Sequence, residues 1–249
     1  MSKTIIEIKD LHKEFKNSLL KKERIEVLKG INLNINEQQR IALVGKNGSG
    51  KTTLAKIIAG FSEITSGEIN YNYDYLISPK EKIALQFQNE IELKKPTVKD
   101  LYKLLVLNFK DILDMDFIGK LYEILQINSY LGMRYDRLSG GQRKKVDLFF
   151  VLYSKPKLLI LDEFTAGLDA DTKIKVREII ESYINKYSGT ILLISHDSNE
   201  IRKLTNEIYV LRDGVISDHI TNIQEKFVND DELELFIRDI TQSIKNVEL

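Results

Sequence analysis

The stretch Gly45-Lys46-Asn47-Gly48-Ser49-Gly50-Lys51-Thr52 decides the fold of this chain. It fits the pattern G-x-x-x-x-G-K-[ST], in which glycines let backbone N–H groups surround phosphate oxygens. An apolar run at residues 41–44 precedes it, and an apolar segment of helical character follows and stops at Gly60. Strand, glycine loop and helix in this order predict a phosphate-binding loop at a helix N-terminus. A chance glycine-rich turn is the alternative, and these flanks disfavour it.

Two side chains at the end of the loop have distinct chemical roles. The Lys51 ammonium has the length to reach the β and γ phosphates of a bound nucleotide. The Thr52 hydroxyl is an oxygen ligand of the kind that Mg²⁺ takes beside nucleotide phosphates. The loop therefore predicts a nucleoside triphosphate with Mg²⁺ as the ligand.

A second segment places two carboxylates at the end of a strand. Residues 158–161 read Leu-Leu-Ile-Leu and are followed by Asp162 and Glu163. A continuous apolar run is typical of a strand buried in a parallel sheet, and ligands bind at the carboxyl ends of such strands. Asp162 is expected to assist Mg²⁺ through a water, and Glu163 to polarise the water that attacks the γ-phosphate. An ordinary acidic pair at a strand end is the alternative.

The third segment is Leu138-Ser139-Gly140-Gly141-Gln142, which precedes an apolar stretch at residues 146–153. Ser139 is a good N-cap residue, and the helix after it would present N–H groups and its dipole to an anion. The lysine of the first loop has no counterpart here. A simple capped helix after a glycine turn is the alternative interpretation.

Taken together, these three segments resemble the ATP-binding cassette (ABC) ATPases. The resemblance implies an α/β P-loop NTPase fold of the ABC-cassette type, with a mixed sheet core, an antiparallel β subdomain and a helical subdomain. It also implies that the segment from Ser139 to Gln142 closes over the γ-phosphate held by a second subunit. Each ATP site would then be built from two chains.

The resemblance carries over further roles, residue by residue. It implies catalytic roles for Glu163, His196 and Gln88, and an Mg²⁺ site at Thr52, Gln88 and Asp162. Thr53 is expected to hold the α phosphate, and Asp169 lies in the loop that crosses the dimer interface. The residues expected to bind ATP are Phe15, Gly45, Lys46, Asn47, Gly48, Ser49, Gly50, Lys51, Thr52, Thr53, Ser139, Gly140, Gly141, Gln142 and Asp169.

Three of these assignments have competitors within the sequence. Gln88 matches the family's Q-loop glutamine, but strand alternation directs Gln86 to the same face. His196 ends the apolar run at residues 191–194, where the family histidine contacts the γ-phosphate; a lone histidine there would otherwise be unremarkable. Phe15 takes the place of the aromatic residue that stacks on adenine. A phenylalanine of the core is the alternative.

Composition narrows the class of protein. The chain has 249 residues, 37 basic and 37 acidic side chains, and no cysteine. Balanced charge gives no global field for nucleic acid, and the absence of cysteine is consistent with a cytosolic protein. The sequence has no apolar run of about 18 residues and no recognisable signal sequence at its start.

We expect one nucleotide-binding domain over residues 1–249. Residues 1–88 and 154–218 would form the catalytic lobe, 89–153 the helical subdomain, and 219–249 a helical C-terminal tail. The sequence departs from the family at Phe164, where a proline is common, and at Gln38-Gln39, where a glycine is common. These departures predict a change in loop stiffness and in turn type.

The sequence as a whole predicts the ATP-hydrolysing subunit of an ABC transporter. ATP would join it to a second, identical or different cassette, and separate transmembrane permease subunits would hold it on the cytoplasmic face of the membrane. In the compact spacing of Gln88 and Ser139, and in Lys95-Pro96-Thr97-Val98 after Gln88, the chain resembles exporter-type subunits more than importer-type ones, which implies export. A soluble cassette ATPase acting on DNA or ribosomes and a regulatory nucleotide-binding protein without turnover are the alternatives.

Overall fold

A computed structural model describes residues 3–16, 24–75, 77–86, 96–108 and 114–242. Within these ranges the strands are β1 (Thr4–Lys16), β2 (Arg24–Asn36), β3 (Arg40–Val44), β4 (Ser66–Tyr71), β5 (Ile83–Gln86), β6 (Leu158–Asp162), β7 (Thr190–Ile194), β8 (Glu207–Arg212) and β9 (Val215–Ile220). The α-helices of the same ranges are α1 (Lys51–Ile58), α2 (Val98–Asn108), α3 (Met115–Ile124), α4 (Gly140–Tyr153), α5 (Ala170–Tyr187), α6 (Ser198–Leu204), α7 (Ile223–Lys226) and α8 (Asp230–Thr241).

The strands form two sheets. The larger has the order β5-β6-β7-β3-β8-β9, and its neighbouring strands are parallel except for the antiparallel pair of β8 and β9. The smaller sheet is antiparallel, in the order β2-β1-β4. The mixed sheet core and the antiparallel β subdomain expected from the sequence are therefore both present.

Two hydrophobic cores lie on opposite faces of the larger sheet. On β3, Ala42 and Val44 belong to the core shared with the helices of the region 98–153, whereas Ile41 and Leu43 belong to the core shared with the smaller sheet and α1. Successive side chains of a strand point to opposite faces, so a strand covered on both sides must be apolar throughout. This explains the unbroken apolar runs that precede the site residues.

Helix α1 ends close to the glycine that the sequence predicts as its terminator. Helix α1 stops at Ile58, and Gly60 follows with φ of +81°, a left-handed conformation that glycine adopts without strain. The helical subdomain expected over 89–153 contains α2, α3 and α4 among its described residues. No helix in the described ranges is long and apolar enough to cross a membrane.

The C-terminal region departs in detail from its prediction. Strand β9 extends to Ile220, so two residues assigned to the helical tail belong to the sheet. Helix α8 is amphipathic as expected and buries Leu233, Ile237 and Ile240, whereas Leu235 is exposed. The buried positions recur at three- and four-residue spacing, which places them on one face of the helix.

Candidate active site

A cavity of about 580 Å³ opens at the carboxyl ends of the parallel strands. The register pairs Leu43 of β3 and Asp162 of β6 with Ile194 of β7, so the segments that follow these three strands leave the sheet side by side. The residues lining the cavity are Val27, Asn47, Gly48, Gly50, Lys51, Thr52, Thr53, Asp162, Glu163 and Ile194. Two segments predicted from sequence, more than 100 residues apart in the chain, thus share one site.

Lys51 is held inside the glycine loop. Its Nζ donates to the carbonyl of Gly45 at 2.6 Å and to the carbonyl of Lys46 at 2.9 Å, and the side chain is buried. Burial lowers the pKa of Lys51, while the nearby carboxylates of Asp162 and Glu163 oppose this effect. Among the described residues, the hydrogen-bond partners of this buried ammonium are carbonyl oxygens. Such an ammonium is suited to receive phosphate oxygens, which would neutralise its charge.

Thr52 and Asp162 meet across the site. The Thr52 hydroxyl donates to Oδ2 of Asp162 at 2.7 Å, and burial raises the pKa of the Asp162 carboxyl, although this hydrogen bond partly offsets the effect. A hydroxyl and a carboxylate beside a phosphate loop are hard oxygen ligands, the class that Mg²⁺ prefers. The donor set therefore fits the predicted metal, with Thr52 as a direct ligand and Asp162 beside it.

Glu163 and His196 form a pair at the edge of the cavity. Oε1 of Glu163 lies 3.7 Å from Nε2 of His196. Among the described residues, neither ring nitrogen of His196 has a hydrogen-bond partner, although both are buried. Glu163 has a left-handed backbone, with φ of +47°, and its N–H donates to the carbonyl of Ile194 at 2.9 Å. A non-glycine residue in this conformation is uncommon and is often found at functional sites.

His196 is expected to titrate on the acid side of an ordinary histidine. Burial lowers its pKa, and the charge of Lys51 acts in the same direction. His12 makes the matched control, because its hydrogen bond to Glu26 raises its pKa. In an NMR titration we expect the His196 imidazole to titrate below about 6.5 and that of His12 above it. Titration of His196 at or above the His12 midpoint would contradict the buried, cationic surroundings described for it.

The same shift fixes the sign of a stability effect. Because the folded-state pKa of His196 is depressed, the unfolded chain binds the proton first as the pH falls below about 6.5. The free energy of unfolding is therefore expected to decrease on acidification towards the folded-state pKa, and less so in His196→Gln. Urea unfolding at several pH values measures this difference.

Glu200 is a site residue that sequence reasoning missed. Its side chain is 1% exposed, accepts a hydrogen bond from the Thr165 hydroxyl, and accepts a second from the Ser195 hydroxyl at 2.6 Å. Burial raises its pKa. Glu200 thus joins the loop that follows Glu163 to the residue that precedes His196. The sequence feature that could have indicated Glu200 is its position four residues after His196, in the first turn of α6.

Gly45 is required by a close approach of main chain. A Cβ at this position would lie 2.1 Å from the carbonyl oxygen of Leu211, which is backbone and cannot rotate away. We expect Gly45→Ala to lower the free energy of unfolding by about 3 kcal/mol, the upper end of the cost of overpacking. Urea unfolding measures the change.

The matched control for this prediction is Gly119→Ala. Gly119 lies within α3, is exposed, and a Cβ there has nothing within 4 Å. Alanine is preferred to glycine inside a helix by about 0.5–1 kcal/mol, so this change is expected to stabilise the protein. Equal effects of the two substitutions would contradict the steric argument.

The segment from Ser139 to Gln142 begins α4 with a capping box. The Ser139 hydroxyl accepts from the Gln142 N–H, and the Gln142 side chain accepts from the Ser139 N–H. None of the residues that line the cavity belongs to this segment. The helix N-terminus is therefore formed as predicted, while its residues do not contribute to the cavity of their own chain.

The remaining sequence predictions have mixed outcomes. Gln88 lies outside the described residues. Its competitor Gln86 is buried at the end of β5, where its Nε2 donates to the carbonyl of Lys144 at 3.2 Å. Asp169 caps α5 by accepting from the N–H and the hydroxyl of Thr172. Phe15 is 45% exposed on β1, so the alternative of a core phenylalanine is wrong.

Phe164 replaces the proline expected after Glu163 with a different constraint. Its side chain is 1% exposed and belongs to the hydrophobic core shared with the helical region. Burying an aromatic ring of this size anchors the loop by packing. The loop is therefore anchored at this position by a tertiary contact of the Phe164 ring.

Comparisons with known proteins agree with this site. A protein-family model described as "ABC transporter" matches residues 28–166. The chain is 34% identical over 222 residues to the spermidine/putrescine import ATP-binding protein of Spiroplasma citri, covering 87% of this chain and 61% of that protein. It is 36% identical over 199 residues to the sulfate/thiosulfate import ATP-binding protein of Mesostigma viride, covering 77% of this chain and 56% of that protein. The chain thus spans little more than half the length of these relatives.

A solved structure extends the comparison to the fold. A dimeric ATP-binding cassette in a post-hydrolysis state, bound to ADP and phosphate, superposes with a TM-score of 0.70 at 25% identity, covering 87% of this chain and 98% of the solved chain. The mixed sheet, antiparallel sheet and helical region described above are therefore those of a nucleotide-binding cassette.

Proposed function

Because the chain belongs to the ABC transporter family, we propose that it is an ATP-hydrolysing subunit that drives transport through separate membrane subunits. The observation that carries the proposal is that Glu163 lines the same cavity as Lys51, Thr52 and Asp162, with Nε2 of His196 3.7 Å from its Oε1. Lys51, Thr52 and Asp162 are suited to bind phosphate with its metal ion, whereas Glu163 and His196 can orient and activate a water molecule. A purely regulatory nucleotide-binding protein would not need the second group.

The chain's own residues divide the work of hydrolysis. Lys51 and the loop amides bind and orient the phosphates. Thr52 and Asp162 would hold Mg²⁺, which when bound would supply neutralisation of charge on the phosphate oxygens. Glu163 accepts a hydrogen bond, and then a proton, from the attacking water. Burial lowers the pKa of His196 and so favours its neutral form. A neutral imidazole has one N–H, which His196 donates to the γ-phosphate or to the attacking water. Catalysis in this scheme is positioning together with electrostatic stabilisation.

A second cassette would complete the site. The N-terminus of α4 presents N–H groups and a positive dipole end outside the cavity of its own chain, so we infer that it binds the γ-phosphate held by a partner. The solved relative is a dimer, which supports this arrangement. ATP would hold the two cassettes together, and its hydrolysis would release them. In this scheme Asp169, at the start of α5, and Phe15, exposed on β1, take the interface and adenine roles implied by the family.

The direction of transport is proposed from the relatives. Both curated relatives are named as import ATP-binding proteins, one for polyamines and one for sulfate or thiosulfate. The export preference drawn from the spacing of Gln88 and Ser139 receives no support from them. We propose an import system, with this chain on the cytoplasmic face of the membrane and bound to permease subunits through its helical region.

Purification of the tagged chain from membranes in mild detergent tests the proposed function. We expect a stoichiometric partner with several membrane spans, and ATPase activity that depends on Glu163. Recovery of ribosomes or DNA in place of such a partner would favour the alternative, a soluble cassette ATPase. The balance of 37 basic and 37 acidic residues gives no electrostatic basis for that alternative.

A further inference from the structure

Lys144 connects α4 with the loop that follows β6 and with the end of β5. It lies in the first turns of α4, two residues after Gln142. Its Nζ donates to the carbonyl of Glu163 at 3.1 Å and also to the carbonyl of Ala166. Its own carbonyl accepts from the Nε2 of Gln86 at the end of β5. One residue of the α4 N-terminus therefore touches the loop that carries the catalytic carboxylate.

The loop after Glu163 is held by donors from within and from outside. Glu163 has φ of +47° and Gly167 has φ of +80°, so the backbone turns between them. Inside the loop the carbonyl of Glu163 accepts from the N–H of Ala166 at 3.1 Å. Lys144 adds a second donor to the Glu163 carbonyl and a donor to the Ala166 carbonyl. A cation that donates to two carbonyls at once stabilises the turn more strongly than a neutral donor.

The neighbouring basic residues point elsewhere. Arg143 lies over the ring of Tyr135, with its guanidinium carbon 5.2 Å from the ring centroid. The pKa of Asp169 is lowered mainly by its hydrogen bonds to Thr172, and the positive charge of Lys145 contributes to the same effect. Lys144 donates to the loop that bears Glu163, and Glu163 and Asp162 counter the lowering of its pKa by burial. Position 145 therefore offers a matched control for charge on the same helix.

We propose that Lys144 is a positioning residue that ties the α4 N-terminus to the loop bearing Glu163 in the same chain. The inference rests on the proposed function, in which that N-terminus binds the partner's nucleotide. Closure of the dimer onto the N-terminus of α4 is then transmitted through the Lys144 ammonium to the carbonyl of Glu163. Lys144 therefore links two ATP sites: the one in the partner that the α4 N-terminus completes, and the one in its own chain that contains Glu163.

The test compares Lys144→Met, which keeps the length and removes the donors, with Lys144→Arg, which keeps charge and N–H donors, and with the control Lys145→Met. Amide hydrogen exchange over residues 163–168 reports the loop without any requirement for activity. We expect exchange about tenfold faster in Lys144→Met, since the Ala166 carbonyl loses its charged donor and the Glu163 carbonyl keeps only the Ala166 N–H. Exchange close to that of the wild type is expected in Lys144→Arg and Lys145→Met.

Steady-state hydrolysis gives the second readout. Lys144→Met is expected to lower kcat by about tenfold or more while KM changes by less than about twofold, and Lys144→Arg to recover most of the loss. Unchanged exchange and unchanged kcat in Lys144→Met would overturn the inference, as would an equal loss in Lys145→Met. If Lys144→Met does not fold, Lys144→Gln, with a single donor, takes its place. Wild-type protein without Glu163-dependent turnover would refute the proposed function instead, and loop exchange would still decide the role of Lys144.

Discussion

Replacing Glu163 with glutamine is expected to lower ATP turnover by a factor of about 100 to 10,000, the usual contribution of a general base. The amide has the same shape and can adopt the same left-handed backbone, but it cannot accept a proton from water. The roles proposed for Lys51 in phosphate binding and for Thr52 in Mg²⁺ binding do not depend on the Glu163 carboxylate, so we expect ATP binding to be retained. Turnover is measured by phosphate release, and ATP affinity by titration with a fluorescent nucleotide.

The same substitution should trap the ATP-bound dimer. Because ATP joins the cassettes and hydrolysis separates them in the proposed cycle, blocked hydrolysis leaves the dimer as the stable species. Size-exclusion chromatography with light scattering detects it as a doubled mass that requires ATP. Glu178→Gln, on an exposed position of α5, is the control for loss of a carboxylate. Normal turnover in Glu163→Gln would remove Glu163 from the mechanism.

Ser139→Arg is expected to lower turnover by about 100-fold or more while the isolated chain retains its affinity for ATP. The arginine blocks the N-terminus of α4, where N–H groups are proposed to stabilise charge on the partner's γ-phosphate, an effect of about this size for preorganised donors. No residue lining the chain's own cavity is altered. Titration of the monomer and steady-state hydrolysis at high protein concentration separate the two quantities.

Loss of the helix cap must be distinguished from this effect. Ser139 accepts from the Gln142 N–H, so any substitution that removes the hydroxyl destabilises the start of α4 by about 1 kcal/mol. Ser139→Ala removes the cap without adding bulk and is the control. Comparable turnover in Ser139→Ala and Ser139→Arg, or a large loss of monomer ATP affinity in Ser139→Arg, would contradict the two-chain site.

The strands that carry the site could be predicted because each is a short, unbroken apolar run. Such runs can be buried only in the middle of a sheet, and parallel strands deliver their carboxyl ends to one edge. The phosphate loop, the acids after β6 and the histidine after β7 consequently converge without any knowledge of long-range contacts. The capping box at Ser139 is equally local, since it links residues three positions apart.

Other features of the site depend on residues distant in the chain and of ordinary type. The Glu200 carboxylate reaches Thr165 over 35 positions, and the Lys144 ammonium reaches Glu163 over 19. No local pattern distinguishes Lys144 from a solvated lysine on a helix, and for Glu200 the one local signal is its position four residues after His196. Their partners are set by the angle at which α4 and α6 pack on the sheet, which is a property of the whole fold.

The consecutive residues of the glycine loop, and the strand ends marked by apolar runs, were therefore sufficient to predict a phosphate site, a candidate general base and the α/β fold. Tertiary packing decided how the catalytic loop is held: Phe164 is anchored in the core, Lys144 satisfies carbonyls, and Glu200 joins the loop to the histidine segment. Glycine turns, helix caps and apolar runs depend on residues that are close together in the chain, so they can be predicted from the sequence. Burial and charge pairing act through space, so they emerge only when the elements have packed.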